Sequence, residues 1–102
     1  METVDILGCR AKVASTFSER ARGLIGSKSL GPDEGMLILR CNAIHTFFMG
    51  FPIDAIFLDR NDRVVKTVRN IRPWTFFVRG GWRAVKVLER AAEGDARAGR
   101  RC

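Results

Sequence analysis

The chain has 102 residues, 46% hydrophobic and 28% charged, which fits one globular domain with one core. No apolar run approaches a membrane span, because the longest, residues 47–58, is interrupted by Gly50, Pro52 and Asp54. Eighteen basic against eleven acidic residues give a net charge of +7, yet the basic residues are scattered and no nucleic-acid motif accompanies them, so a nucleic-acid partner is not expected.

Residues 3–15 alternate loosely around Gly8 and predict a bent strand or short hairpin, with Val4, Ile6, Ala11 and Val13 pointing inward. Thr16-Phe17-Ser18-Glu19 has capping-box spacing, in which the Thr16 hydroxyl accepts from the Glu19 N–H and the Glu19 carboxylate reaches back. A helix of two to three turns is expected from there, with Phe17, Ala21, Leu24 and Ile25 on one face and Gly26 as its stop. Residues 27–35, with Pro32 and two glycines, predict a loop in which Asp33 and Glu34 are solvated, and residues 36–39 predict a buried strand.

Residues 41–59 hold the only histidine together with a cysteine, a methionine and two aspartates in an otherwise apolar run. Thr46, Phe47 and Phe48 favour extended backbone, Gly50 and Pro52 break it, and Ile56, Phe57 and Leu58 resume it. Alternation in the first strand would put His45, Phe47 and Met49 on one face and Ile44, Thr46 and Phe48 on the other. The second strand is apolar on both faces, which predicts a central position in a sheet. Asp54, between Ile53 and Ala55, needs hydrogen bonds or a cation if it is buried. It either ties down the 49–52 loop through backbone N–H groups or serves as a base or ligand-orienting group beside His45.

Residues 60–63 read as the turn of an antiparallel hairpin whose second strand runs from Val64 to Asn70 or Ile71, where Pro73 ends it. Residues 74–78 and 82–89 then form strands around Gly80-Gly81, with Trp74 and Trp82 either packed in the core, the expected placement, or forming an exposed platform. Three cysteines at wide spacing, with no Cys-x-x-Cys pair, argue against a disulfide framework or zinc site and suit a reducing compartment. Glu2 and Asp5 stand where a signal peptide would be basic, so a cytoplasmic location is expected.

Gly23-Leu24-Ile25-Gly26, Gly35-Met36-Leu37, His45-Thr46 with Met49, Pro52-Ile53-Asp54, Phe57-Leu58-Asp59 and Val87-Leu88-Glu89 occur in the order and spacing of domain-of-unknown-function family 192, which the chain resembles over residues 10–90. The family's name declares no function. A subgroup with the Cys…His-Thr form is similar to proteins found beside pilus-assembly components, and that association is all the resemblance implies about the cell envelope. Gly50 stands where many relatives place a basic residue. Residues 90–102 contain no large apolar side chain where the family usually adds a last strand, which puts full closure of the β-structure in doubt here.

The expected fold is α+β, predominantly antiparallel β, a small curled or barrel-like sheet with one short helix over residues 1–90 and a disordered basic tail at 91–102. No nucleophile, base and orienting group can be assembled, so the expected function is a non-enzymatic binding or accessory domain with its site at His45, Thr46, Met49, Asp54, Cys41 and Trp74. The alternatives are a small hydrolase or isomerase using Asp54 with His45, and a nucleic-acid-binding module. Cys41, His45 and Met49 would offer soft metal ligands on a helix, but extended backbone puts Cys41 and His45 about 13 Å apart. No cofactor or metal is expected, and the partner would be a small molecule or protein, with the chain a monomer or weak homodimer.

Overall fold

The computed structural model describes residues 2–16, 19, 34–46, 49–75 and 77–92. The described residues form eight strands: β1 (Thr3–Ile6), β2 (Cys9–Ala14), β3 (Glu34–Leu39), β4 (Ala43–Ile44), β5 (Ile53–Leu58), β6 (Val64–Ile71), β7 (Val78–Arg79) and β8 (Lys86–Ala91). Six of them form one sheet in the order β1-β2-β3-β8-β5-β6, and β4 with β7 forms a separate two-stranded ribbon. Apart from the single helical residue Glu19, strands are the only regular elements among the described residues, so the architecture is β and the α+β expectation is corrected. The capping box is formed: the Glu19 N–H donates to Thr16 Oγ1 at 3.2 Å, and the Ser15 and Thr16 N–H groups donate to Glu19 Oε1 at 3.1 Å each. The helix expected to follow it lies, Glu19 apart, outside the described residues.

The sheet is mixed, because β2 and β3 run parallel while the other neighbours are antiparallel. That pairing was not foreseen, although a parallel pair needs a crossover and the helix expected between the strands at 3–15 and 36–39 would supply one. The expected hairpin at the N-terminus is present, with Ile6 opposite Cys9 and a two-residue turn at Leu7 and Gly8, both at positive φ (51° and 80°). Positive φ at both positions is the turn whose twist suits paired strands. The expected pairing of β5 with β6 is also present. In its turn Asp59 Oδ1 accepts the N–H groups of Asn61 (2.8 Å) and Arg63 (3.0 Å).

β8 runs between β3 and β5. The last described strand is thus central, and the edges of the sheet are β1 and β6. The strand continues through Ala91, and buried Ala92 donates its N–H to Pro52 O at 3.1 Å.

Alternation along the central strands divides the core between the two faces of the sheet. On one face Met36, Ile38, Ile53, Ala55, Phe57 and Val87 pack with Ile44, Met49, Phe51 and Ala84, and Val78 of the ribbon lies against them. On the other, Cys9, Ala11, Val13, Leu37, Ile56, Leu58 and Leu88 form a second cluster. Ala11 and Val13 are inward as expected, whereas Val4 is exposed on the edge strand. Cys9 is disulfide-bonded and Cys41 is a free thiol, so the expectation of a chain without disulfides fails at Cys9. Among the described residues no helix is long and apolar enough to cross a membrane.

Candidate functional site

The ribbon pairs Ala43 with Arg79 and Ile44 with Val78. It is much shorter than the strand expected through Thr46. The Thr46 carbonyl accepts the N–H groups of Met49 (3.3 Å) and Trp74 (2.8 Å). Two residues expected on one face are set apart: His45 is exposed, whereas Met49 is buried in the core. Ile44 and Thr46 are both buried, as alternation required.

Thr46 is fully buried and ties two loops together. Its hydroxyl donates to Arg72 O at 2.7 Å and accepts the Thr75 N–H at 2.8 Å, and its own N–H donates to Thr75 O at 3.0 Å. Thr75 Oγ1 also donates to Arg72 O at 2.7 Å. These bonds leave Trp74 with φ of 67°, a left-handed conformation that costs a bulky residue on the order of 1–2 kcal/mol and persists only when its surroundings impose it.

Trp74 is 59% exposed and Phe77 56% exposed. The expectation of Trp74 and Trp82 in the core fails for both, because turns carry them away from the strands that would have buried them. Continuing the ribbon register places His45 opposite Phe77 on the outward face, beside Arg79. The Arg79 guanidinium lies 5.8 Å from the Phe77 ring centroid, and Lys66 Nζ donates to Arg79 O at 2.8 Å. His45, Phe77 and Arg79 therefore form an aromatic and cationic face on the short ribbon, with Lys66 of β6 bonded to it and exposed Trp74 in the turn that bonds Thr46. Phe77 and Arg79 were not foreseen in it, although Arg79 opens the basic Arg79-Gly-Gly-Trp-Arg83 cluster visible in the sequence.

Asp54 is elsewhere. It is fully buried and shares with Ile56 and Leu58 the sheet face opposite Met49. Its Oδ1 accepts the Asn70 N–H at 2.8 Å. Asn70 has φ of 54° where β6 carries an extra residue relative to β5, so this carboxylate holds a β-bulge. Arg90 is directly opposite it on β8. Cys41, half-buried beside the first core cluster, donates its thiol to Ala43 O at 3.1 Å. The structure thus brings together His45, Thr46 and Trp74, and places Met49 and Cys41 in and beside the core cluster that packs against the ribbon. Among the described residues no group of three or more His, Cys, Asp or Glu side chains could hold a metal ion.

Glu89 entered the sequence reading only as part of the Val87-Leu88-Glu89 motif and was given no role there. It is 3% exposed and lies between Met36 on β3 and Ala55 on β5, on the face of the first core cluster. Among the described residues no hydrogen bond or ion pair reaches its carboxyl. Burial alone pushes its pKa up from 4.5 to about 8, so it is a neutral acid near pH 7.

The "Uncharacterized ACR" family model, DUF192, matches residues 2–99. A UPF0127 protein of Thermococcus sibiricus is 41% identical over 80 residues, covering 71% of this chain and 49% of that protein. A second UPF0127 protein, from Pyrococcus horikoshii, is 40% identical over 73 residues, covering 66% of this chain and 60% of its own length. The chain thus spans only about half to three fifths of the curated relatives it matches. A crystal structure of a protein of unknown function from Novosphingobium aromaticivorans superposes with a TM-score of 0.77 at 27% identity, covering 89% of this chain and 71% of that one. With the family model matched along nearly its whole length, the chain belongs to the DUF192 family.

Proposed function

We propose that this domain is a non-catalytic binding module that recognises an acidic, apolar-containing segment of a partner protein through the outward face of the β4–β7 ribbon. The observation that carries the reading is the exposure of His45, Phe77 and Arg79 on one face of the ribbon, together with that of Trp74 in the turn bonded to Thr46. Exposed Trp and Arg side chains on a rigid support are the composition of interface hot spots. Arg79, Lys66 and the nearby exposed Arg72 favour an acidic partner, and no acidic residue belongs to the cluster.

The placement of the candidate residues favours binding over acid–base chemistry. Asp54 holds the β6 bulge from one face of the sheet, while His45 stands on a ribbon packed against the other. In this reading His45 and Trp74 touch the partner and Thr46 positions them. Met49 and Cys41 support the ribbon from below, and Asp54 keeps the scaffold in register.

Selection from a random peptide display library against the immobilised domain tests the proposal. Enrichment of acidic peptides carrying aromatic or aliphatic residues is expected, with binding weakened roughly tenfold or more by Trp74→Ala or Phe77→Ala at unchanged fold. Peptides that bind the Trp74→Ala, Phe77→Ala double variant as well as the parent would refute it.

A further inference from the structure

A second concave surface forms where β5 ends and β8 begins. The Val85 N–H donates to Leu58 O and the Cys41 N–H to Val85 O, each at 2.9 Å, and Lys86 pairs with Asp62 of the β5–β6 turn. These bonds set residues 80–85 across the turn and leave two hollows. One, of about 390 Å³, lies between Trp82, Arg83, Asp59 and Arg60. The other, of about 220 Å³, lies between Arg60, Arg40 and Lys86. They share Arg60 and Val85, so together they make one trough.

Its lining is graded. At one end Trp82 is 86% exposed, with the Arg83 guanidinium 5.3 Å from its ring centroid. Asp59 and Asn61 stand beside the indole. The hydrogen bond from the Arg63 N–H chiefly holds the Asp59 carboxyl below its usual range, so it is an ionised acceptor at neutral pH. Toward the other end the polar side chains are cations: Arg60, then Arg40 and Lys86. Lys86 is already paired with Asp62, but among the described residues neither Arg60 nor Arg83 has an ion-pair partner.

We propose that this trough binds a mononucleotide, with its base stacked on the indole face of Trp82 that Arg83 leaves open and its phosphate held by Arg60 and Arg40. Each part of the gradient matches a part of that ligand. A π-face accepts any base, Asp59 and Asn61 accept from a base amino group or a ribose hydroxyl, and guanidinium groups take phosphate oxygens in pairs. A bare anion would make no use of the exposed indole, and a neutral aromatic would make no use of the cations. The larger hollow alone is within the roughly 300–1,000 Å³ typical of small-ligand sites.

Titration of isotope-labelled protein with adenosine monophosphate, adenosine and inorganic phosphate, followed by NMR, tests the proposal. Adenosine monophosphate is expected to shift the Trp82 indole N–H and the Arg60 and Val85 amides together. Trp82→Ala and Arg60→Ala, both exposed positions, should each weaken that binding roughly tenfold. Adenosine and phosphate should each bind at least tenfold more weakly than the nucleotide, and Phe77→Ala on the ribbon should have no effect. Equal binding of phosphate and nucleotide, shifts confined to the ribbon, or survival of binding in the Trp82→Ala, Arg60→Ala double variant would overturn it. So would an affinity that climbs steeply from the mononucleotide to a longer single-stranded oligonucleotide, which would mark a nucleic-acid groove.

Discussion

Replacing Glu89 with Gln should stabilise this protein, and by an amount that depends on pH. In the folded chain the carboxyl titrates at about 8 instead of 4.5, because burial opposes its charge. Its strand neighbours on that face are Met36 and Ala55, and the adjoining cluster is apolar, so no charged side chain from β3 or β5 offsets the cost. Between pH 4.5 and 8 the folded state binds this proton and the unfolded state has released it, so stability falls as pH rises through the interval. The displacement corresponds to about 5 kcal/mol over the whole interval, of which about 3 kcal/mol is already lost at pH 7. Gln has nearly the same shape and no proton to lose, so Glu89→Gln should recover most of that loss and flatten the profile.

Two other carboxyls are shifted the opposite way. Glu19 is held below its usual value chiefly by the Thr16 N–H, and Asp59 chiefly by the Arg63 N–H. Their contributions are present above their ordinary pKa values and are lost on acidification, which leaves the interval from pH 5 to 8 to Glu89. Thermal melts of parent and variant across that interval check the reasoning. The parent should melt progressively lower as pH rises, and near pH 7 the variant should melt roughly 10–20 °C higher for a domain of this size. Equal melting profiles would show that water or an unseen partner solvates the carboxyl and that its burial is not desolvation.

Three further substitutions bear on the scaffold. Thr46→Val keeps the shape but leaves the buried Thr75 N–H without its side-chain acceptor, and should cost roughly 1–3 kcal/mol by urea denaturation. At position 74 the φ of 67° makes Trp74→Gly more stable than Trp74→Ala by roughly 1 kcal/mol, measured the same way; equal stabilities would remove the claim of strain. Gly80→Ala puts a Cβ into the Phe57 ring and the Ala84 side chain, and should lower stability by roughly 2 kcal/mol although it adds only a methyl group.

The parts of the fold legible in the sequence are those where local pattern and tertiary setting agree. The uninterrupted apolar run of β5 required a central strand, and it is buried along its full length between β8 and β6. Turn residues at 60–63 marked the second hairpin, and Gly8 marked the first segment as a bent strand or a hairpin. What stayed hidden depends on contacts between segments far apart in sequence. The Thr46 carbonyl is taken by the N–H groups of Met49 and of Trp74, twenty-eight positions away, a pairing that strand propensity at Thr46 does not reveal. Burial of the tryptophans was inferred from side-chain type, yet β4 and β7 are only two residues each and leave Trp74 and Trp82 in turns outside them. Of the site residues, His45, Thr46 and Trp74 were found together, while the expected proximity of Asp54 to Met49 gave way to opposite faces of the sheet.

The three fully or nearly buried polar side chains described in the core, Thr46, Asp54 and Glu89, are not equivalent. Two of them serve the backbone. Asp54 accepts the N–H of Asn70, and the Thr46 hydroxyl holds the chain on both sides of Trp74 by donating to Arg72 O and accepting the Thr75 N–H; Asn70 and Trp74 are at φ of 54° and 67°, conformations that need an external hold. In each case the cost of burying a polar group is set against a conformation the chain could not otherwise keep, one fixing the β6 bulge and the other presenting the exposed indole of Trp74. Glu89 has no such counterpart: its carboxyl holds no strained residue and meets no cation among the described residues. Its burial therefore detracts from stability near neutral pH, whereas the other two trade desolvation for shape, and the shape that Thr46 maintains is the ribbon surface assigned here to binding.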